Sequence, residues 1–294
     1  MACDFSVYLT PDRHDAVAAA NSAFAEIEEM EDLLSIYRAS SAMSYVNRCA
    51  PERPVRCDAR VYELLKRAAE LTAQTEGAFD VSAGALVRAW GFFRGPRRVP
   101  QESERLDALA RTGMQHVTFD DDQLSVRYEV PLEINLGSIG KGYAIDRAVQ
   151  RLRSEHGMRC ALLHGGQSSM FAFGSPGRDG RGWLVGIENP LKPSEYVATV
   201  RLRDRGLGTS GTANQYFEAG GRLYGHVIDP RRGDPADELA SVSVIASDAA
   251  TADALSTALF VLGLDKAIEF CENHRDIAAL IVLKPDGEPV GHGR

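Results

Sequence analysis

A chain of 294 residues, 44% hydrophobic and 25% charged, can bury a large core, as one big domain or two tightly joined lobes, and is too apolar to be disordered. With 33 Lys and Arg against 41 Asp and Glu the net charge is −8, which argues against a broad nucleic-acid surface. Any phosphate site is therefore local, made of glycine amides, a single lysine or a metal ion.

The N-terminal "MACDFSVYLTPDRHD" has no basic stretch followed by an apolar one, so no signal peptide is expected. No window reaches the roughly eighteen apolar residues of a membrane span. The expected location is the cytoplasm, or an exported one if a leader is missing. Five scattered cysteines without a CxxC pair form neither a zinc site nor a disulfide framework, and read as reduced, mostly buried thiols.

"CDFSVYL" reads as an opening strand, and residues 16–35 keep apolar residues at helical spacing with acids on the other face. "SSAMSYVNR" is a loop or short helix, "ARVYELLKRAAELTAQTEG" a second helix with Gly77 as its stop. "RGPRRVPQESE" is a surface excursion, "SERLDALART" a short helix, and "HVTFDDDQLSVRY" a hairpin around an acidic turn. A helix is expected from Tyr143 to His156, and "CALLHGGQSSMFAFG" is a strand ending in Gly165-Gly166. "GWLVGIENP", "YVATVRLRDRGLGTSG" and "GRLYGHVIDP" read as further strands, the last carrying His226 and ending at Asp229-Pro230. "SVSVIAS" is a strand, "DAATADALSTALFVLG" and residues 264–273 are helices, and "IAALIVLKPDG" is a closing strand. Strands and helices mix without strict βαβ alternation, so the expected class is α+β.

Five stretches could carry chemistry. "NLGSIGKGYAID" is a glycine-rich turn entering a helix, whose free N–H groups and macrodipole suit phosphate, although it is neither a Walker loop nor the dinucleotide fingerprint. By itself such a turn is more often packing than ligand site. In "ATADALSTAL" Asp253 and Thr257 are four apart on one helical face, an oxygen pair suited to Mg²⁺, or equally an ordinary helix acid and a Thr bonded to its own helix. His226 is the natural proton carrier near neutral pH, against the commoner structural histidine. Phe79 and Asp80 could clamp a flat heterocycle or merely pack, and Gly165-Gly166 permit a close backbone approach.

The order AFD (78–80), NLGSIGKGYAID (135–146), HGG (164–166), TSG (209–211) with HVIDP (226–230), and ADALSTAL (252–259) resembles the ApbE family. Its members are FAD:protein FMN transferases, called thiamine-biosynthesis lipoproteins in older usage. The likeness runs from the first residue to about Gly263 and includes "LLSIYRASSAMSYVN".

The resemblance implies one ApbE-like domain over residues 1–294, with T-fold-related mixed sheets, packed helices and two intimately joined lobes. It implies Mg²⁺-dependent cleavage of FAD, transfer of FMN to a Thr or Ser hydroxyl of a target flavoprotein, and release of AMP. By resemblance Asp253, Thr257 and Ser138 hold the metal. Asn135 and Lys141 contact the flavin nucleotide, as do Ala78, Phe79 and Asp80, and Tyr37 lies near the flavin ring. Met1 and Ile228 match further FAD contacts, and His226 matches the candidate base. The chain departs from the family pattern at Asn135, where Asp is common, and at Gln167, where an acid is frequent, and it is expected to lack the leader and lipid-attachment cysteine of exported members. The alternatives are an FAD pyrophosphatase, in which water replaces the protein hydroxyl, and a non-catalytic FAD-binding protein.

Overall fold

The computed structural model describes residues 3–10, 15–192, 194–211, 216–284 and 290–292. In chain order the elements are β1 (Phe5–Leu9), α1 (Ala16–Leu34), α2 (Ala42–Cys49), β2 (Val55–Arg56), α3 (Ala59–Gln74), α4 (Gly84–Ala89) and α5 (Glu102–Ala110). There follow β3 (Val117–Asp120), β4 (Ser125–Tyr128), α6 (Gly140–Ser154), β5 (Ala161–Gly165), β6 (Ser169–Phe173), β7 (Trp183–Glu188), β8 (Tyr196–Leu202) and β9 (Arg205–Gly211). The last are β10 (Tyr216–Ala219), β11 (Arg222–Gly225), β12 (Leu239–Ala246), α7 (Ala249–Leu262), α8 (Leu264–Asn273), β13 (Ala278–Leu283) and β14 (Val290–His292). Helices packed with antiparallel sheets make this an α+β protein, as expected. Among the described residues no helix is long and apolar enough to cross a membrane.

The chain divides into two compact units, each gathered from separated segments, which is why no linker is visible in the sequence. The first comprises Met1–Glu31, Ile139–Gly211 and Glu238–Arg294; the second comprises Asp32–Ser138 and Thr212–Asp237.

In the first unit seven strands pair in the order β1-β5-β6-β9-β12-β13-β14, and β7 and β8 form a separate ribbon. Side chains alternate between the two faces of each strand. Along β9, Leu207 joins an apolar cluster with Leu162, Met170, Val185, Ile187 and Leu202. Gly206 and Gly208 face the other way, and a Cβ on either would overlap the backbone of α7, at Asp248 and Ala252 respectively. Two strand residues advance about 6.6 Å and four helix residues about 6.0 Å, so β9 and α7 stay in step. The next strand position on that face is Ser210, and the next helix position is Ser256, whose hydroxyls lie 2.8 Å apart. Asp248 caps α7, its carboxylate accepting the backbone N–H of Thr251 at 2.8 Å.

The second unit holds the sheet β2-β4-β3 and the hairpin β10-β11. Its core gathers Ala85, Leu86, Trp90, Ala108 and Ile228, with Phe92, Phe217 and Tyr224 against it. The Trp90 indole N–H donates to the Gly233 carbonyl at 2.9 Å. Asn47 secures residue 134 by donating to its carbonyl at 2.8 Å and accepting its N–H at 3.0 Å.

Several expectations need correction. The helix expected from Tyr143 begins at Gly140, so Gly140 and Gly142 are helical residues. The strand in "CALLHGGQSSMFAFG" ends at Gly165 as expected, but the rest of the stretch turns through Gly166 and Gln167, at φ of 58° and 59°, into a second strand, β6, that was not expected. "YVATVRLRDRGLGTSG" is likewise two strands, and β11 stops at Gly225, leaving His226 outside it. All five cysteines are free, but only Cys57 and Cys271 are buried, since Cys3, Cys49 and Cys160 are partly exposed.

Candidate active site

The first unit gathers its polar groups on the face of the sheet that meets α7. Asp253 is 3% exposed, one helical turn beyond the start of α7. Its Oδ1 accepts the Ser169 hydroxyl at 2.8 Å, and its Oδ2 accepts the Gly142 backbone N–H at 3.2 Å. Lys141 Nζ stands 3.6 Å from the same Oδ2. Burial pushes the Asp253 carboxyl above the ordinary carboxylate range, although Lys141, Ser169 and Gly142 all pull it down. Ser169 reaches this face because β6 pairs it with Gly208 of β9, and paired residues share a side of the sheet.

Glycine at 142 answers to packing: a Cβ there would overlap the carbonyl of Ala249 in the facing helix. Asp146, one turn further along α6, accepts the N–H groups of Ala249 and Ala250 at 2.8 Å each. The thinning of the chain to glycine that suggested a phosphate cradle is thus, at this position, a condition for two helices to touch. Behind Asp253, Ser210 Oγ lies 2.8 Å from Ser256 Oγ and 3.0 Å from Thr257 Oγ1. Ser256 Oγ donates to the Asp253 carbonyl at 2.8 Å.

The second unit holds the other sequence-derived candidates. Ala78 and Phe79 are each 1% exposed and belong to the core. Asp80 is half-buried, accepts from the Ser82 N–H and hydroxyl at 2.8 and 2.6 Å, and accepts the Met114 N–H at 3.0 Å. Burial raises its pKa against those hydrogen bonds. Asn135 Oδ1 accepts the Gly137 N–H at 3.0 Å, an Asx turn leading into a 3₁₀ turn that ends at Ser138. Tyr37 is 51% exposed and stacks on Phe93 at 4.8 Å, with the Arg94 guanidinium 5.7 Å from its ring. His226 is half-buried, with the Phe92 ring edge-on at 6.4 Å, and Ile228 is buried. Met1 lies outside the described residues.

The structure thus brings Lys141, Asp253 and Thr257 together in the first unit, while Tyr37, Ala78, Phe79, Asp80, Asn135, Ser138, His226 and Ile228 belong to the second. Among the described residues no group of three or more His, Cys, Asp or Glu is placed to hold a metal ion. A cation site here would rest on one carboxylate and hydroxyl oxygens. That donor set fits Mg²⁺, a hard ion that takes few protein ligands and completes its shell with water and phosphate. The buried Asp253 carboxylate fits it too, having among the described residues only the Lys141 ammonium, at 3.6 Å, to offset its charge.

Sequence reasoning missed Asp146, Ser169 and Ser256, and it named Ser210 without giving it a role. Ser256 was accessible from spacing, three residues after Asp253 and so on the same helical side. Ser169 was hidden because the strand it opens, after the Gly165-Gly166 turn, was not expected.

A family profile described as the ApbE family matches residues 1–281. The FAD:protein FMN transferase of Klebsiella pneumoniae (strain 342) is 32% identical over 274 residues, which is 92% of this chain and 84% of that protein. The crystal structure of the ApbE protein of Thermotoga maritima superposes with a TM-score of 0.87 at 32% identity, covering 98% of this chain and 91% of that one. The apo form of the Pseudomonas stutzeri flavinyl transferase ApbE gives 0.84 at 32% identity, covering 98% and 90%. On a profile spanning nearly its whole length and relatives of this similarity, the chain belongs to the ApbE family.

Proposed function

We propose that this chain, a transferase of the ApbE family, cleaves FAD with Mg²⁺ and transfers FMN to a Thr or Ser hydroxyl of a target flavoprotein, releasing AMP. The observation that carries the reading is the buried Asp253 carboxylate, pushed toward neutrality by burial and set beside Lys141, with Thr257 one turn further along the same helix. Asp253 and Thr257, with Ser138, are the proposed ligands of Mg²⁺, which when bound would neutralise charge on the diphosphate.

Phosphoryl transfer asks the protein mainly for positioning and charge neutralisation. In the proposed reaction His226 removes the proton of the acceptor hydroxyl as its oxygen attacks the FMN phosphorus. The bond from that phosphorus to the oxygen of AMP breaks, and AMP leaves with the bonding pair. Lys141 contributes positive charge to the phosphates. Tyr37 offers an exposed ring to the flavin, backed by Phe93. Asp80, Asn135 and Ile228, with Ala78, Phe79 and Met1, are the further proposed FAD contacts.

The test is incubation with FAD, Mg²⁺ and a flavoprotein fragment carrying a Thr or Ser acceptor, followed by in-gel flavin fluorescence after denaturation. A fluorescent acceptor band supports the transferase. Free FMN and AMP with an unlabelled acceptor would replace it by a pyrophosphatase, and bound, unaltered FAD by a binding protein.

A further inference from the structure

We propose that Ser210 is a positioning residue for the metal: its hydroxyl takes the proton of Thr257 and so leaves the lone pairs of Thr257 Oγ1 available to a hard cation. The inference rests on the proposed metal role of Asp253 and Thr257, and it follows from counting protons. A hydroxyl has one hydrogen to donate and two lone pairs to accept with. Ser256 gives its hydrogen to the Asp253 carbonyl at 2.8 Å. The 2.8 Å contact between Ser210 and Ser256 therefore has Ser210 as donor. With that hydrogen engaged, the 3.0 Å contact between Ser210 and Thr257 has Thr257 as donor. The remaining contact of Thr257 Oγ1, to the Asp253 carbonyl, is the longest of the four at 3.4 Å and can only share the one Thr257 hydrogen, since a carbonyl has none to give.

Every hydrogen bond of Thr257 Oγ1 to a described residue thus uses its proton and none uses a lone pair. A threonine inside a helix ordinarily bonds back to the carbonyl four residues earlier. Here that bond is long, and Ser210 offers the nearer acceptor. The fold explains why a hydroxyl stands there. The in-step register of β9 and α7 carries Gly206 to Asp248 and Gly208 to Ala252, and delivers the next side chain, Ser210, to Ser256 and Thr257. The relay from Thr257 to Ser210 to Ser256 ends on the carbonyl of Asp253, the residue whose carboxylate would hold the same ion.

The test compares Ser210→Val with Ser210→Thr in the full chain. The two side chains have the same shape, and only Thr keeps the hydroxyl. Mn²⁺, a hard cation visible by electron paramagnetic resonance, is titrated into wild type, both variants, Asp253→Ala and Ser256→Ala, with metal-free thermal midpoints recorded alongside. Outer-shell partners of metal ligands typically change affinity by about 10- to 100-fold. The expected result is weakening in that range for Ser210→Val, near-wild-type affinity for Ser210→Thr, and similar metal-free midpoints for both. Ser256→Ala, a change α-helices tolerate well, frees the Ser210 proton to occupy Thr257 and is expected to weaken Mn²⁺ binding as well. Equal affinity of the Val and Thr variants while Asp253→Ala is impaired would overturn the role of Ser210 alone, as would wild-type affinity in Ser256→Ala. Wild-type affinity in Asp253→Ala would remove the metal reading and this proposal with it.

Discussion

Asp146 and Asp253 each serve the other's helix: Asp146 on α6 accepts the first-turn N–H groups of α7, and Asp253 on α7 accepts the Gly142 N–H in the first turn of α6. The first N–H groups of a helix have no partner within it, and a carboxylate there satisfies both the hydrogen bond and the macrodipole. The exchange fixes Asp253 from two directions, since Ser169 holds its other oxygen.

Asp146→Ala leaves two N–H groups of α7 without their carboxylate. Hydrogen bonds to a charged group contribute about 1.5–3 kcal/mol. Chemical denaturation is expected to show a loss of that order, and Asp146→Asn, which can still accept one of the two N–H groups, should lose less. Equal stability of wild type and Asp146→Ala would mean that the cross-helix cap does not hold α7.

Gly142→Ala tests whether the glycine serves packing or a ligand. The added methyl would overlap the Ala249 carbonyl, and overpacking of this kind typically destabilises by about 1–3 kcal/mol. A fall in the thermal midpoint of the protein without FAD or metal is the expected result. An unchanged midpoint together with weakened FAD binding would return this glycine to the phosphate-cradle role.

Asp253→Asn should separate stability from function. The carboxyl pKa of Asp253 is raised in the fold by burial, so its ionised form works against folding. That handicap is absent at pH below the unfolded carboxylate range and grows as pH rises through the raised folded value. At neutral pH the metal-free Asn variant is therefore expected to melt above wild type, to keep an acceptor for Ser169 or Gly142, and to lose transfer. A lower melting point at pH 7, with the gap closing in acid, would contradict this.

His226→Ala is expected to bind FAD as wild type does and to transfer FMN about 10²- to 10⁴-fold more slowly, the usual contribution of a positioned base. Unchanged single-turnover transfer would count against the base role.

Element types were legible where periodicity is strong. The long amphipathic α1 and the helix from Leu264 to Asn273 stand where the spacing places them. Failures came where a local signal has two causes. Glycines at 140 and 142 look like a loop but sit in a helix that must approach another backbone, a tertiary demand that overrides propensity. Gly165-Gly166 marked the end of β5, but nothing local announced that the chain turns back through Gln167 into a second strand, so Ser169 stayed out of view. The pairing of Asp253 with Thr257 was readable because helical spacing is local. Its tie to Ser169 and Ser210 depends on strand register, which short-range pattern does not specify.

The most direct measurement is parallel quantification, with FAD and Mg²⁺ present, of AMP released and of acceptor flavoprotein carrying FMN by mass spectrometry. The account predicts one AMP for each FMN-bearing acceptor, modified at a Thr or Ser, with neither product in Asp253→Ala or in the presence of a chelator. Transfer at the wild-type rate by Asp253→Ala, or in chelator, would contradict it.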